Sequence, residues 1–468
     1  MKKKMHIIIL ILLSMLSTVA NGQKLSLHMC REKALENNKE VQAAKVRCEQ
    51  AEYEITSYRS HFLPRIELFA MDMYSTGKGT LTIDGGHLPI YTLNTETGAL
   101  LPSVIMNADG SYTLSQYADF PSQNMDFKIK NVFIGGLSVT EPLYTGGKIT
   151  TAYNMSKLGR EMTLLNIQMT EDQVKINTDE AYALVIKAKE MKSVAISYKA
   201  LLDELLKNVE SAVRHGLKTR NDMMKVRVKI NEAELGIQKA DNAIRLAKMN
   251  LCHIIGMPLT TDIDVDENTF ADTLCNDLNP LFDAGDISTR PEYSLVDRQT
   301  RLSEMGIKLT RSDYLPNVML MGGIDYNNGL ELSGRKLLDG TSASIAIGVK
   351  IPLVNFGESA GKLRSAKAKH RISRLEQEDA NEKMMLELSQ SANNLSEAIT
   401  EVDITAKALE QAEENMKMSK RQYEVGYEPL SDYLEAQAMW QQAYANKVDA
   451  RCQLIIAHTK YLKASGKL

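Results

Sequence analysis

The sequence predicts a mixed, mainly α-helical fold: two very long coiled-coil hairpins, one in each half of an internally duplicated chain, each preceded by two β-strands. Three observations predict it. Residues 148–214 and 357–426 each run without a proline. Within both runs apolar residues recur at alternating steps of about three and four, which lines them along one stripe of a helix that needs a partner helix. The punctuation after each run also repeats, since Gly216 stands as far before Asp222 as Gly426 does before Asp432. At 1.5 Å per residue each long helix reaches roughly 100 Å, far beyond a globular domain. A duplicated, very long hairpin is therefore the central fact to explain.

Taken in order, residues 1–22 read as a secretory signal. Lys2-Lys3-Lys4 is a basic start, Ile7 to Leu13 an apolar core, and Ala20-Asn21-Gly22 supplies small residues at a cut before Gln23. Elsewhere no stretch approaches the roughly 18 apolar residues of a spanning helix. Residues 25–62 predict one amphipathic helix with Ala34, Val41, Ala44, Ala51 and Ile55 on its buried side, broken by Leu63-Pro64. Ile66 to Tyr74 alternates as a strand does. Residues 76–126, rich in Gly, Thr, Asn, Ser and Pro, predict a long loop with at most local hairpins. Phe127 to Thr140 is the next extended segment, with a kink expected at Gly135-Gly136. Gly146-Gly147 then bends the chain into the first long helix.

That helix carries the seam Ala181, Leu184, Ala188, Met191, Ala195, Tyr198, Leu202, Leu205, Val209 and ends at Val213-Arg214-His215-Gly216. The return helix runs from Asn221-Asp222 to Ile255. Residues 23–258 form the first repeat and 259–289 an acidic linker. Residues 290–468 form the second repeat, opened by Arg290-Pro291-Glu292-Tyr293 with proline in a first helical turn. Val318 to Tyr326 and Ser344 to Ile351 alternate as strands. The second long helix follows Gly357, with the seam Leu388, Ala392, Leu395, Ile399, Val402, Ala406, Leu409, Met416. It stops at Gly426, and its return helix starts after Pro429.

Four strands joined to long helices cannot bury their own edges, since closed barrels need about eight strands or more. Strands of about ten residues with one apolar face have the length of membrane β-strands. Several chains sharing one barrel satisfy both conditions.

Other function classes find little support. A net charge of -3 gives no basic footprint for nucleic acid. Cys252-His253 are helix neighbours that do not share a face, so no metal pair is read there. The cysteines Cys30, Cys48, Cys252, Cys275 and Cys452 read as buried thiols, with a Cys252–Cys275 bridge the open alternative. The many methionines fall among seam and strand positions and read as core filling. Gly146-Gly147 and Gly357 lack the Lys-Ser/Thr of a phosphate loop. No nucleophile–base constellation is visible, so the chain is read as no enzyme, with no cofactor.

Several motifs together carry a resemblance. The first helix reads Leu25-Ser26-Leu27 … Ala34-Leu35-Glu36-Asn37-Asn38 … Val41-Gln42-Ala43-Ala44 and closes on Phe62-Leu63-Pro64. Its second-repeat partner runs from Arg290-Pro291-Glu292-Tyr293 to Tyr314-Leu315-Pro316. The second tip reads Tyr423-x-Val425-Gly426, then Asp432-x-Leu434-x-Ala436-Gln437. Over essentially the whole mature length the chain resembles the TolC-like outer-membrane efflux protein family, the outer-membrane factors of tripartite efflux and type I secretion systems. The resemblance implies a homotrimer whose four strands per chain build a twelve-stranded barrel in outer-membrane lipid, above a periplasmic helical tunnel with an equatorial region at 259–289. It implies docking to a periplasmic adaptor (membrane fusion protein) and an inner-membrane transporter. Two departures stand out: Lys39 takes a position where the family usually has proline, and the 76–126 loop is longer than the family pattern.

Asp432 and Glu435 match the family's constriction-lining acids, one turn apart on one helix face. Three copies make a carboxylate ring that favours cations. Acids in a first helical turn are also stabilising by themselves, and for Asp222, the first-repeat counterpart, capping is at least as good a reading. The tip residues Gly216, Leu217, Gly426 and Tyr427 are the expected adaptor-docking points. The alternative is a periplasmic coiled-coil adaptor or structural protein without a pore, against which the matched strand pairs in both halves argue.

Overall fold

The computed structural model describes residues 24–266 and 286–468, so the expected signal segment, most of the linker and Cys275 lie outside the described residues. The chain divides into a helical unit (residues up to Ile55, Asn154–Ile307 and Leu363–Leu468) and a strand-bearing unit (Thr56–Tyr153 and Lys308–Lys362).

In the helical unit the first predicted helix is two. α1 (Leu27–Asn37) and α2 (Lys39–Ser60) part at Asn38, whose backbone is extended. No proline is needed for this break. The Asn38 amide donates to the Ile254 carbonyl at 2.8 Å, and its side-chain oxygen accepts from the Glu40 N–H at 2.8 Å, so one side chain ends one helix and starts the next. Ala34, Val41, Ala44 and Ala51 are buried as expected, and Ile55 is half-buried.

α3 (Lys148–Arg214) and α4 (Arg220–Ile254) form the first hairpin; α5 (Pro291–Ser312) precedes the second, α6 (Glu358–Val425) with α7 (Leu430–Ala464). One apolar cluster gathers Leu25, Cys30, Val41, Tyr182, Leu251 and Cys452, binding α1, α2, α3, α4 and α7 together. Here a short parallel pairing sets β1 (Lys24–Leu25) beside β11 (Asp264–Val265), and the Tyr182 hydroxyl donates to the Leu25 and Asp266 carbonyls at 3.0 and 2.8 Å. A second cluster nearer the tips holds Tyr198, Leu202, Val226, Ile230, Leu430 and Tyr433.

The seams are partly as predicted. On α3 all the expected positions are buried or half-buried except Leu184, which is exposed. On α6 Leu388, Ala392, Leu395, Val402, Leu409 and Met416 lie on the covered stripe, whereas Ile399 and Ala406 are exposed. Ser391 is covered beside Ala392, and Ala398 and Thr405 are covered one place before Ile399 and Ala406. The covered stripe thus alternates large and small side chains, which lets two backbones approach, and the larger Ile399 points away. Four cysteines, Cys30, Cys48, Cys252 and Cys452, are free and buried, and burial pushes Cys30 and Cys452 up to about 12, so neither is a reactive thiol.

In the strand-bearing unit the main sheet has the order β13-β12-β10-β2. Its members are β2 (Arg65–Tyr74), β10 (Gln123–Thr145), β12 (Asn317–Leu332) and β13 (Arg335–Lys350), all antiparallel neighbours. The second-repeat strands outrun their alternating patches and meet at Ser333-Gly334, both at positive φ (49° and 79°), the geometry of a two-residue hairpin turn. The expected kink at Gly135-Gly136 is absent: the register runs unbroken there, and irregularities fall at Ile129/Phe133 and Pro142/Tyr144. Gly136 is glycine for another reason, since a Cβ would sit 2.4 Å from the Ile324 carbonyl oxygen. Residues 76–126 do hold local hairpins, and β3 (Lys78–Ile83) also extends the main sheet by pairing with β10.

Register sorts the sheet into two faces. Ile66, Leu68, Leu137, Val139, Leu320, Ile324, Ile345, Ile347 and Val349 share one face, while Glu67, Ser138, Thr140, Asp325, Ser342 and Ser344 share the other. Ile345 (80% exposed), Ile347 (67%) and Leu68 (84%) show that nothing among the described residues covers the apolar face there. β2 and β13 have no further strand beside their outer edges among the described residues. Gly146, Gly147 and Gly357 take positive φ (62°, 82° and 93°) where strands turn into helices.

Candidate functional site

Both hairpin tips are built by one device. Gly216 (φ 73°) and Gly426 (φ 84°) leave the helix in the left-handed conformation, with open space where a Cβ would stand, so the backbone alone requires glycine. The Leu217 N–H reaches back to the Ala212 carbonyl and the Tyr427 N–H to the Gln422 carbonyl, both at 2.9 Å. These bonds close the terminal carbonyls in a Schellman arrangement and turn the next side chain outward. Leu217 is 77% and Tyr427 90% exposed, so each tip presents one uncovered apolar or aromatic residue.

The two return helices start differently. Thr219 and Asp222 form a reciprocal capping box: the Thr219 hydroxyl accepts from the Asp222 N–H at 3.2 Å and donates to the Asp222 carboxylate at 2.7 Å. The Thr219 hydrogen bond holds the Asp222 carboxyl below its ordinary range, against burial, with Lys225 and Lys218 adding to the effect. Asp222 is therefore occupied as a cap. Because its pKa is depressed in the fold, its contribution is present above the unfolded carboxyl pKa and fades as pH falls through the folded one. Thr219→Ala is expected to cost about 1 kcal/mol of local stability. Amide exchange at the start of α4 should quicken in that variant, and in wild type under acid, while the start of α7 stays unchanged.

α7 begins at Pro429 without a side-chain cap. Asp432 receives only the Ser431 hydroxyl, at 2.8 Å, and is exposed, as is Glu435. Neither makes an ion pair among the described residues. Glu435 lines an open groove of about 550 Å³ between α4 and α7, with Met224, Lys225, Val228, Leu434 and Ala438 around it. The structure thus separates the three acids: Asp222 is engaged in its cap, Glu435 faces the groove, and Asp432 stands at the exposed first turn of α7.

Contacts that the sequence did not announce join the two hairpins. Lys218, at the first tip, sits 4.7 Å over the Tyr423 ring of α6, and Tyr423 stacks on Tyr433 of α7 at 5.6 Å between centroids. Lys420 reaches Glu204 of α3 at 3.3 Å. Burial pushes both tyrosine hydroxyls up, so they stay neutral at physiological pH. The pair flanking Gly426 was the only signal, two tyrosines ten residues apart across a tip. Among the described residues no group of His, Cys, Asp and Glu is placed to hold a metal, and no helix is long and apolar enough to cross a membrane.

A profile of the outer membrane efflux protein family matches residues 30–257 and 298–467, most of the chain. The chain belongs to the outer membrane efflux protein family. This efflux protein is 20% identical to the outer membrane protein TolC of Vibrio cholerae over 379 residues, 79% of this chain and 83% of that one. Its fold is that of VceC from the same species (TM-score 0.70, 13% identity, covering 94% of this chain and 96% of that one). It is likewise that of the CmeC outer membrane channel of Campylobacter jejuni (TM-score 0.69, 18% identity, 94% and 85% covered). The efflux protein is an outer-membrane protein with a large periplasmic helical part, and its family is one of channel proteins.

Proposed function

We propose that this chain is one third of a passive export duct: a homotrimer that spans the outer membrane, docks at its tips to a periplasmic adaptor and, through it, to an inner-membrane transporter. The observation that carries the reading is the main sheet, apolar and uncovered on one face among the described residues, mixed on the other, where Glu67, Ser138, Asp325 and Ser344 alternate with Phe69, Met71, Ile134 and Met321, and unpaired at both edges. A four-stranded sheet of this kind is stable in lipid only when copies join edge to edge, because each open edge leaves backbone groups unsatisfied. Three copies make twelve strands, with the polar row of Glu67, Ser138, Asp325 and Ser344 facing a lumen.

The helices support the same assembly. α3, with 67 residues, buries 17 of them, while α6, with 68, buries six. Ile372, Leu375, Leu386 and Ile404 of α6 remain exposed, a second apolar face that nothing among the described residues covers. The two repeats, 23–258 and 290–468, then supply equivalent hairpins around the tunnel, with 259–289 as an equatorial linker.

Asp432 and Glu435 are proposed as the aperture ring, and Leu217 and Tyr427, set by Gly216 and Gly426, as the adaptor-docking points. Asp222 takes part through its cap. Asp432→Ala should lower the cation preference of single channels in planar bilayers; an unchanged preference removes Asp432 from the aperture. The duct reading itself is tested by detergent extraction. A heat-dissociable trimer from the outer membrane is the expected product, and a soluble periplasmic monomer would refute it.

A further inference from the structure

Residues 78–120 leave the main sheet as a stem with two lobes. β3 continues along β10 as far as Ile83 opposite Gln123, and the stem goes on as β4 (Gly86–Pro89) against β9 (Tyr117–Phe120). One lobe is the hairpin β5 (Tyr91–Leu93) with β6 (Leu100–Pro102), the other β7 (Val104–Met106) with β8 (Tyr112–Leu114). A three-way junction joins them. The Ser103 N–H donates to the Ile90 carbonyl and the Ser115 N–H to the Ser103 carbonyl, both at 2.9 Å. The Ile90 N–H donates to the Gln116 carbonyl at 3.4 Å, and the Ser103 and Ser115 hydroxyls lie 2.6 Å apart. The tips are tied as well, with Asn94 accepting from the Glu96 N–H and Asp109 from the Ser111 N–H. These bonds give the lobes a set shape.

That shape has no core. No residue from 78 to 120 is buried, and Leu93, Leu100, Met106 and Tyr112 are each more than 60% exposed. Two-stranded ribbons are marginal alone in water, and apolar side chains at this density mark an interface. The four lobe strands contain no charged residue. Identical copies therefore meet there without like-charge repulsion, whereas a charged partner or an anionic headgroup finds no counter-charge, the acids Glu96 and Asp109 sitting at the lobe turns. Position selects the same occupant. β3 pairs with β10 on the side that β2 occupies lower down, so the extension rises above the β2 edge, the edge another copy must close in a shared barrel.

We propose that the two lobes pack against those of neighbouring copies of this chain, so that three extensions close into a crown at the outer rim of the barrel. The proposal rests on the shared-barrel reading. A rotational ring of this kind needs two different faces that fit each other, and two lobes on one stem supply them.

The test uses the full chain in outer-membrane preparations, with Leu100→Cys and Tyr112→Cys combined and wild type as the baseline for its own thiols. Mild oxidation should give covalently linked copies on denaturing gels, about a hundredfold above collision-level linking, because the partner thiol is held in place. Monomer bands alone, from material that runs as a trimer on native gels, overturn the crown and leave the barrel standing. A native monomer strikes the shared barrel itself, and the crown with it. Replacing residues 91–114 by a short Gly-Ser bridge on the intact stem should lower the temperature at which the trimer dissociates; an unchanged temperature also overturns the crown.

Discussion

Asp179→Ala is expected to cost about 3–5 kcal/mol per chain, the loss typical of breaking a buried ion pair from one side. Asp179 lies on α3 with its side chain 1% exposed. Its carboxylate accepts from Arg31 Nε of α1 at 2.7 Å and from the Thr459 hydroxyl of α7 at 2.6 Å, so one side chain ties three helices. Burial works against the Arg31 charge, and the bonds to Asp179 outweigh it, holding the guanidinium above its ordinary range. Removing the carboxylate leaves the Arg31 cation without its anion beside the apolar cluster of Leu25, Tyr182 and Leu251, held by the Thr459 hydroxyl at 3.3 Å, while that hydroxyl falls back on the Ile455 carbonyl at 3.2 Å. Circular dichroism melts in detergent should show the helical signal lost at a clearly lower temperature. Arg31→Met combined with Asp179→Leu should recover most of the loss, since an apolar pair of similar volume replaces the charges at little cost. A single variant that melts like wild type, or a double variant no better than the single, would show that the pair does not hold these helices together.

That triad also marks where sequence reading stops. Periodicity reports which face of a helix is covered, and the long hairpins, their glycine tips and the strand pairs before them follow from it. It is blind to partners 148 and 280 residues away, which is how far Arg31 and Thr459 stand from Asp179. Asn38 escaped for a related reason: its break depends on a bond to Ile254, and the local sequence reads as continuous helix. The α6 stripe was placed correctly at Leu388, Ala392, Leu395, Val402, Leu409 and Met416 and one position off at Ile399 and Ala406. The small side chains of Ala398 and Thr405 carry too little apolar signal to mark the covered face against the larger Ile399, which is exposed. The strands were found only where they alternate. β12 and β13 continue as far as Leu332 and Arg335 through Asn327, Asn328 and Asp339, where pairing across a tight hairpin, and not side-chain pattern, sustains them. At the tips, Asp222 was legible as a cap from its place in the first turn of its helix, a local signal, while its partner Thr219 came from the structure. The Lys218–Tyr423 contact was not, because it joins separate hairpins.

Ile347→Lys is the second large effect expected. Ile347 sits opposite Leu320 on the face that also carries Ile66, Leu68, Val139 and Val349, and it is exposed with nothing among the described residues over it. If that face meets lipid, a lysine near the bilayer midplane costs about 2–4 kcal/mol. In the proposed trimer every copy repeats the penalty, so trimers should largely disappear from outer-membrane fractions. Ser344→Lys makes the comparison decisive. Ser344 is three residues away on the same strand, opposite Gly323, on the face that carries Asp325 and Ser342. A lysine there meets water in the lumen, so assembly should proceed, with single-channel currents shifted toward anions. The two variants add the same charge to the same strand and differ only in the face, which changes at every step along a strand. Equal tolerance of both, or failure of Ser344→Lys alone, would mean that the polar side faces lipid or that the sheet is not in a membrane. Unequal tolerance in the expected sense ties the apolar row to lipid through the same register that leaves β2 and β13 open for neighbouring copies.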